Sequence, residues 1–311
     1  MGHHHHSHSG NKKALFISFL IITGYMVIEA AGGLLTNSLA LLSDAGHMLS
    51  DSISLGIGLL AFIIGEKKAD DNKTYGYKRL EILAALFNGI TLMVISLFII
   101  YHAVLRFLNP PEIASEGMLV IALIGLIVNI IVAWIMMKTG DTHGNLNMKA
   151  AFLHVIGDML GSVGAILAAL LIMFFGWGWS DPLASVIVAL IILNGGWRVT
   201  MDAFHILMEG TPKNIQIEDV IRTVHSVPGV ISIHDVHLWS ISSGSHVFSC
   251  HVVVDENLTV KCSHEIIQEI KQRLAKKNIR HITIQIENHG MCSNDSIFCN
   301  DIHHHYAEHE H

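Results

Sequence analysis

Charge is what this chain lacks most. Only 14% of its 311 residues are Asp, Glu, Lys or Arg, against 51% hydrophobic, and its mean hydropathy is +0.49. That balance excludes an ordinary soluble domain and is typical of a polytopic membrane protein. Aromatic residues are also few, at 7%, so the apolar mass is aliphatic, in runs of the roughly 20 residues that a bilayer core requires. Cysteine is absent before Cys250, and Cys262, Cys292 and Cys299 complete the set. If that last third is cytosolic, these thiols stay reduced, and their uses are metal ligation or burial rather than pairing. The first residues, "MGHHHHSHSGNKK", contain no short apolar stretch ending in a small-residue cleavage site, so no removable signal is expected and targeting falls to the spans themselves. A formal charge of −7 is not that of a nucleic-acid binder, and no nucleic-acid partner is expected.

Six apolar segments are present, roughly 14–35, 39–64, 80–105, 117–137, 148–174 and 182–205, each near spanning length. Loop charges set their orientation, because Lys and Arg in short loops stay on the cytoplasmic side. One set of loops holds Lys12, Lys13, Lys67, Lys68, Lys73, Lys78, Arg79, Lys138 and Lys149, with Lys213 after the sixth span; the alternate loops contribute Arg106 alone. The pattern predicts a multi-pass protein of the plasma membrane with both termini cytoplasmic. Trp177 and Trp179, in an outer loop, fit an interfacial aromatic belt.

After "EGTPK" the texture becomes that of a small soluble domain. "NIQIEDVIRTVHSVPG" places Ile217, Val220, Ile221 and Val224 on one helical stripe. "VISIHDVHLWSI" and "SHVFSCHVVVD" read as strands of imperfect alternation, "SHEIIQEIKQRLAKKN" returns to helical spacing, and "HITIQIE" alternates as a last strand. The expected fold is therefore six transmembrane helices followed by a cytoplasmic α+β domain in the order αββαβ. The corresponding division is a His-rich tail over 1–13, a six-helix membrane domain over 14–210, an α+β domain over 211–290, and a flexible tail over 291–311 that carries His and Cys.

Ionisable groups inside a membrane are costly and are functional hypotheses by default. The second span contains "HMLSD" and the fifth "HVIGD", so His47 with Asp51 and His154 with Asp158 repeat one pattern. Residues i and i+4 share a helix face, so each pair can converge on one ion and the two pairs supply four ligands. Two imidazoles and two carboxylates suit tetrahedral Zn2+, with Cd2+ or Co2+ as companions; all-oxygen sets suit Mg2+, Ca2+ or Mn2+. The two Asp charges balance the ion's charge, and metal must displace protons to bind, so the two occupancies oppose each other. A single His in an apolar helix is more often a packing residue, and one His/Asp pair is equally an ion pair; it is the repeat on two spans that favours a site. Gly56 and Gly58, and Gly161 and Gly164, allow the close helix approach it needs. Asp44, one turn before His47, reads as an access-path residue. Glu29, Asn88, His102, Asn129 and His205 read as packing or interhelical hydrogen-bonding groups. His3 to His6 with His8, and His303 to His305 with His309 and His311, read as weak metal collectors, with a purification tag as the alternative for the first cluster.

The chain resembles the cation diffusion facilitator family, close to its bacterial cobalt-zinc-cadmium resistance type. The resemblance is carried by "NSLALLSDAGHMLSD" in the second span, "YGYKRLE" entering the third, "HVIGD" in the fifth and "GVISIHDVHLW" in the soluble domain. It implies a homodimer that exports divalent metal from the cytosol in exchange for protons, with K+ as a further candidate counter-ion, and a metallochaperone-like soluble domain. It implies transport ligands at His47, Asp51, His154 and Asp158, and a hinge interlock between Arg79 and Glu209. It also implies a cytoplasmic Zn2+ site, structural or regulatory, with His234, His251, His264 and Glu287 as candidates. Gln285 stands where some relatives have His, and a purely structural role for His234 and His237 is the alternative. Against the transporter stand a membrane metalloenzyme, a metal sensor and a passive channel. The enzyme is disfavoured because no span carries "HExxH" and "SHEII" at 263–267 lacks a second His. About 80 residues leave a sensor no room for an output domain, and a closed four-ligand site would hold metal too tightly for a channel.

Overall fold

The computed structural model describes residues 4–36, 39–108, 115–288 and 297. Two compact units emerge, residues 1–204 and 205–311. The first is built from α1 (His4–Thr36), α2 (Leu39–Gly65), α3 (Leu80–Leu108), α4 (Ser115–Thr139), α5 (Leu146–Phe175) and α6 (Ser180–Leu207), the last of which runs into the second unit. Among the described residues, α1, α3, α4, α5 and α6 are long and apolar enough to cross a membrane, and Asp51–Gly65 is the shorter apolar part of α2. Helices are the only open-ended elements suited to a bilayer, because every backbone bond closes within the segment.

The helix boundaries follow local chemistry. The side chain of Asn145 caps α5 by accepting from the Met148 N–H at 2.9 Å, and Gly176 at φ 67° closes it, its N–H returning to Ile172 O. At the other end of the bundle α1 differs from expectation: it begins at His4, ten residues before the predicted start of the first span. Two contacts hold that extension. Asn11 Oδ1 accepts from the Asp141 N–H at 2.6 Å, and Lys12 pairs with Glu66 at 2.7 Å.

Leu15 and Ile22 of α1, Leu55 and Phe62 of α2, Val132 and Met136 of α4, and Met148 and Val155 of α5 form one buried cluster. The α3–α6 crossing is closer still, backbone against backbone: a Cβ on Gly89 would lie 3.2 Å from Gly196 O, and one on Gly196 would lie 3.0 Å from Gly89 O. Phe98, Trp134 and Phe174 are exposed on the outside of the bundle, as side chains covered by lipid would be. Trp177 stacks on Trp179 with ring centroids 5.3 Å apart.

The second unit continues with α7 (Ile217–His225), β1 (Ser232–Ser242), β2 (Ser245–Val254), α8 (Val260–Ala275) and β3 (Ile279–Asn288), the αββαβ order read from the sequence. The sheet order is β1-β2-β3; the first pair is antiparallel through a turn at Gly244, φ 74°, and the second is parallel across α8. Val220 and Val224 of α7 and Ile266, Ile270 and Leu274 of α8 pack with Phe248, Cys250, Val252 and Val254. Strand alternation puts His251 on the opposite face of the sheet. The tail expected over 291–311 lies outside the described residues except for Ile297, whose carbonyl accepts from the Val236 N–H at 2.9 Å.

Candidate metal centre

The centre is set by how α2 and α5 run past each other. Gly58 lets α5 approach, so Asn147 Nδ2 donates to Gly58 O at 2.9 Å. Seven residues back along α2 and seven on along α5, in the same antiparallel register, His154 Nε2 meets Asp51 Oδ1 at 2.7 Å. Asp158, the next turn of α5, places Oδ2 3.8 Å from the same Nε2. One ligand atom from each of Asp51, His154 and Asp158 lies within 4.8 Å of the other two. Asp51 is fully buried and His154 is 5% exposed. His47 stands in α2 one turn before Asp51, but its side chain, like that of Asp44, lies outside those described.

The 2.7 Å contact has a chemical meaning. A carboxylate oxygen and an imidazole nitrogen approach that closely only with a proton between them, whichever atom carries it. Four ligands at about 2.0–2.2 Å around a tetrahedral ion stand about 3.3–3.6 Å from one another. An ion therefore requires Asp51 and His154 to part and their shared proton to leave.

A second cluster lies on the helix-free face of the sheet. His234 and His251 are cross-strand partners in β1 and β2. Glu287 of β3 joins them, its Oε2 3.2 Å from His234 Nε2 and its Oε1 2.9 Å from His251 Nδ1. Gln285 Nε2 donates to Glu287 Oε1 at 2.8 Å, which fixes the carboxylate. His264 is not brought to this group: it sits exposed on α8, 3.2 Å from Gln268 Nε2. Asp235 is the residue that sequence reasoning missed. The β1 register slips between His234 and His237, and Asp235 occupies that bulge at φ 50°, with Oδ2 3.4 Å from His251 Nε2 and Oδ1 3.1 Å from His237 Nε2. Its one signal was the broken alternation of "SIHDVHLW".

The remaining candidates fall elsewhere. Arg79 lies in the turn before α3 and Glu209 follows α6 at φ 59°, in different compact units. Cys250 is buried, and burial, with the charge of Asp235 adding to it, pushes its thiol up to about 12, so it is inert. Cys262 is half-buried at the start of α8. Cys292, Cys299 and the histidines from His303 onward lie outside the described residues, as do the side chains of His3 to His6 and His8.

Residues 15–208 match the family pattern described as the cation efflux transmembrane domain, and residues 212–289 match the cytoplasmic domain of the cation efflux protein. The chain is 59% identical over 309 residues to the cadmium, cobalt and zinc/H(+)-K(+) antiporter of Bacillus subtilis (strain 168), covering 97% of this chain and 99% of that one. It is 41% identical over 287 residues to the metal cation efflux system protein CzcD of Cupriavidus metallidurans, covering 92% and 90%. To the zinc transporter ZitB of Escherichia coli (strain K12) it is 38% identical over 293 residues, covering 91% and 92%.

Proposed function

The chain belongs to the cation efflux family, and from that premise we propose that it exports divalent metal from the cytosol in exchange for protons, taking Zn2+ first and Cd2+ and Co2+ with it. The relatives matched over nearly their whole length are named as transporters, and this chain is a transporter rather than an enzyme. The relative named for H+ and K+ supports protons as the counter-ion and extends the proposal to K+.

The observation that carries this reading is the 2.7 Å contact between Asp51 of α2 and His154 of α5, buried inside the helix bundle. A cytosolic ion enters, the shared proton leaves, and Asp51, His154 and Asp158 close on the ion with His47 as fourth ligand. The loaded site is neutral, two carboxylates against one divalent cation, and so tolerates low dielectric. Rocking of the bundle turns the site outward, where protons return to the same atoms and expel the ion. Metal and proton cannot share those atoms, and that exclusion is what couples their flows.

The protein works as a homodimer in the plasma membrane with both termini in the cytosol; the cytoplasmic-domain match supports the dimer and a cytosolic second unit, and the Lys and Arg gathered in one set of loops support the orientation. Division of labour follows the expected boundaries, with transport in 14–210 and a metal-sensing and dimerising role in 211–290. His234, His251 and Glu287, with Asp235 beside them, hold a regulatory Zn2+ there, and Arg79 and Glu209 serve the hinge interlock of the dimer.

The test is Zn2+ flux in proteoliposomes under an imposed pH gradient. Wild type drives Zn2+ against the gradient, and Asp51→Ala and Asp158→Ala abolish the flux while remaining folded. Undiminished flux through both variants would overturn the site.

A further inference from the structure

Two buried carboxamides on the lysine-rich side of the centre have no role in the scheme above. Asn147 is fully buried and Asn88 is 3% exposed. Asn88 of α3 spends its Nδ2 on Ser54 O at 3.5 Å, and Asn147 of α5 spends its own on Gly58 O at 2.9 Å. Ser54 and Gly58 are four residues apart on α2, so two helices grip one face of α2 at successive turns. Each grip uses only the donor. Both Oδ1 atoms are inaccessible and have no hydrogen-bond partner among the described residues. If the amides served only to hold α2, the buried acceptors would be pure cost, and such groups are rare in native proteins without a reason.

Their placement supplies one. Ser54 lies three residues and Gly58 seven residues from Asp51, which at a helical rise of 1.5 Å puts the two amides about 4.5 and about 10.5 Å along the axis from the centre. Both lie towards the end of the bundle where Lys67, Lys68 and Lys149 sit. We infer that Asn88 and Asn147 form a ladder of amide oxygens that receives the incoming divalent cation between the cytoplasmic mouth and the metal centre. A carboxamide oxygen replaces part of a cation's hydration shell, as carbonyl oxygens do in oxygen-ligand sites. The two steps, about 6 Å apart, divide dehydration into stages.

The ladder rests on the transport reading, and one experiment separates the two. Full-length protein in proteoliposomes is mixed with Zn2+ in stopped flow, with a trapped indicator. Asn88→Leu and Asn147→Leu each cut the initial rate at sub-saturating Zn2+ about tenfold, while saturated rate and equilibrium Zn2+ binding stay within about twofold of wild type. Asn147→Asp loses the donor but keeps the oxygen, and its sub-saturating rate equals or exceeds wild type. Leucine variants at the wild-type rate overturn the ladder alone, as does an Asp variant as slow as the Leu variant, because the donor would then be the group that matters. Wild-type protein without Zn2+ flux overturns the transport reading and the ladder with it. Should either Leu variant misfold, judged by gel filtration and Zn2+ binding, Asn147→Asp decides by the same criterion.

Discussion

His246, second residue of β2, is almost wholly buried, its Nδ1 2.9 Å from Ser240 Oγ, and burial holds its pKa below the ordinary 6.5. The sign of the consequence follows from linkage. Above the unfolded value the ring is neutral in both states and costs nothing; as pH falls towards the folded value the unfolded chain takes up a proton that the folded domain refuses, so stability is lost. The cytoplasmic unit should therefore melt at lower temperature at pH 5.5 than at pH 7.5. His246→Asn, neutral throughout and still able to bond Ser240, should show a smaller drop when both are followed by the fluorescence of Trp239 in β1. An equal drop would assign the effect to other histidines. The same scale shows what sequence can carry. Asp51, His154 and Asp158 were legible because helical spacing alone places i and i+4 on one face, and partnership followed from repetition of the pattern. Asp235 was not legible, since its approach to His251 depends on a bulge that alternation counts only as noise.

At the scale of elements, the α3–α6 crossing shows how small residues fix helix geometry in lipid, where burial of apolar surface supplies no drive between helices. A Cβ on Gly89 would lie 2.6 Å from Thr200 Oγ1. Both neighbours across the crossing are backbone or a short side chain, so the helices must move apart to admit anything larger. Gly89→Val is expected to cost about 1–3 kcal/mol, the range for overpacking, and to lower the thermal midpoint in detergent. Gly24, where an added Cβ meets nothing within 4 Å, serves as the control, and Gly24→Ala should be neutral or slightly stabilising. Matching midpoints for Gly89→Val and wild type would mean that the crossing is looser than drawn. The six helices were readable from apolar length because a bilayer enforces that length. The start of α1 was not, because polar residues beyond the bilayer continue a helix without any periodic signal, and what held them here was Asn11 reaching Asp141 across 130 positions of sequence.

Over the whole molecule, each compact unit carries its own group of side chains that could hold a metal ion: Asp51, His154 and Asp158 in the first, His234, His251 and Glu287 in the second. Ligand that binds only the folded state stabilises it by mass action, about 2.7 kcal/mol at a hundred times Kd. Two clusters in two units should therefore give two separable protections. In hydrogen exchange read peptide by peptide, Zn2+ should slow amides of α2 and α5 and, independently, those of β1, β2 and β3. Asp51→Ala should erase the first protection and leave the second; Glu287→Ala should do the reverse, because it removes the carboxylate that joins His234 to His251. If Glu287→Ala also erased protection around His154, the two units would share one binding equilibrium. The cytoplasmic ion would then set the affinity of the transport centre, and by reciprocity cargo in the centre would tighten the cytoplasmic site by the same factor.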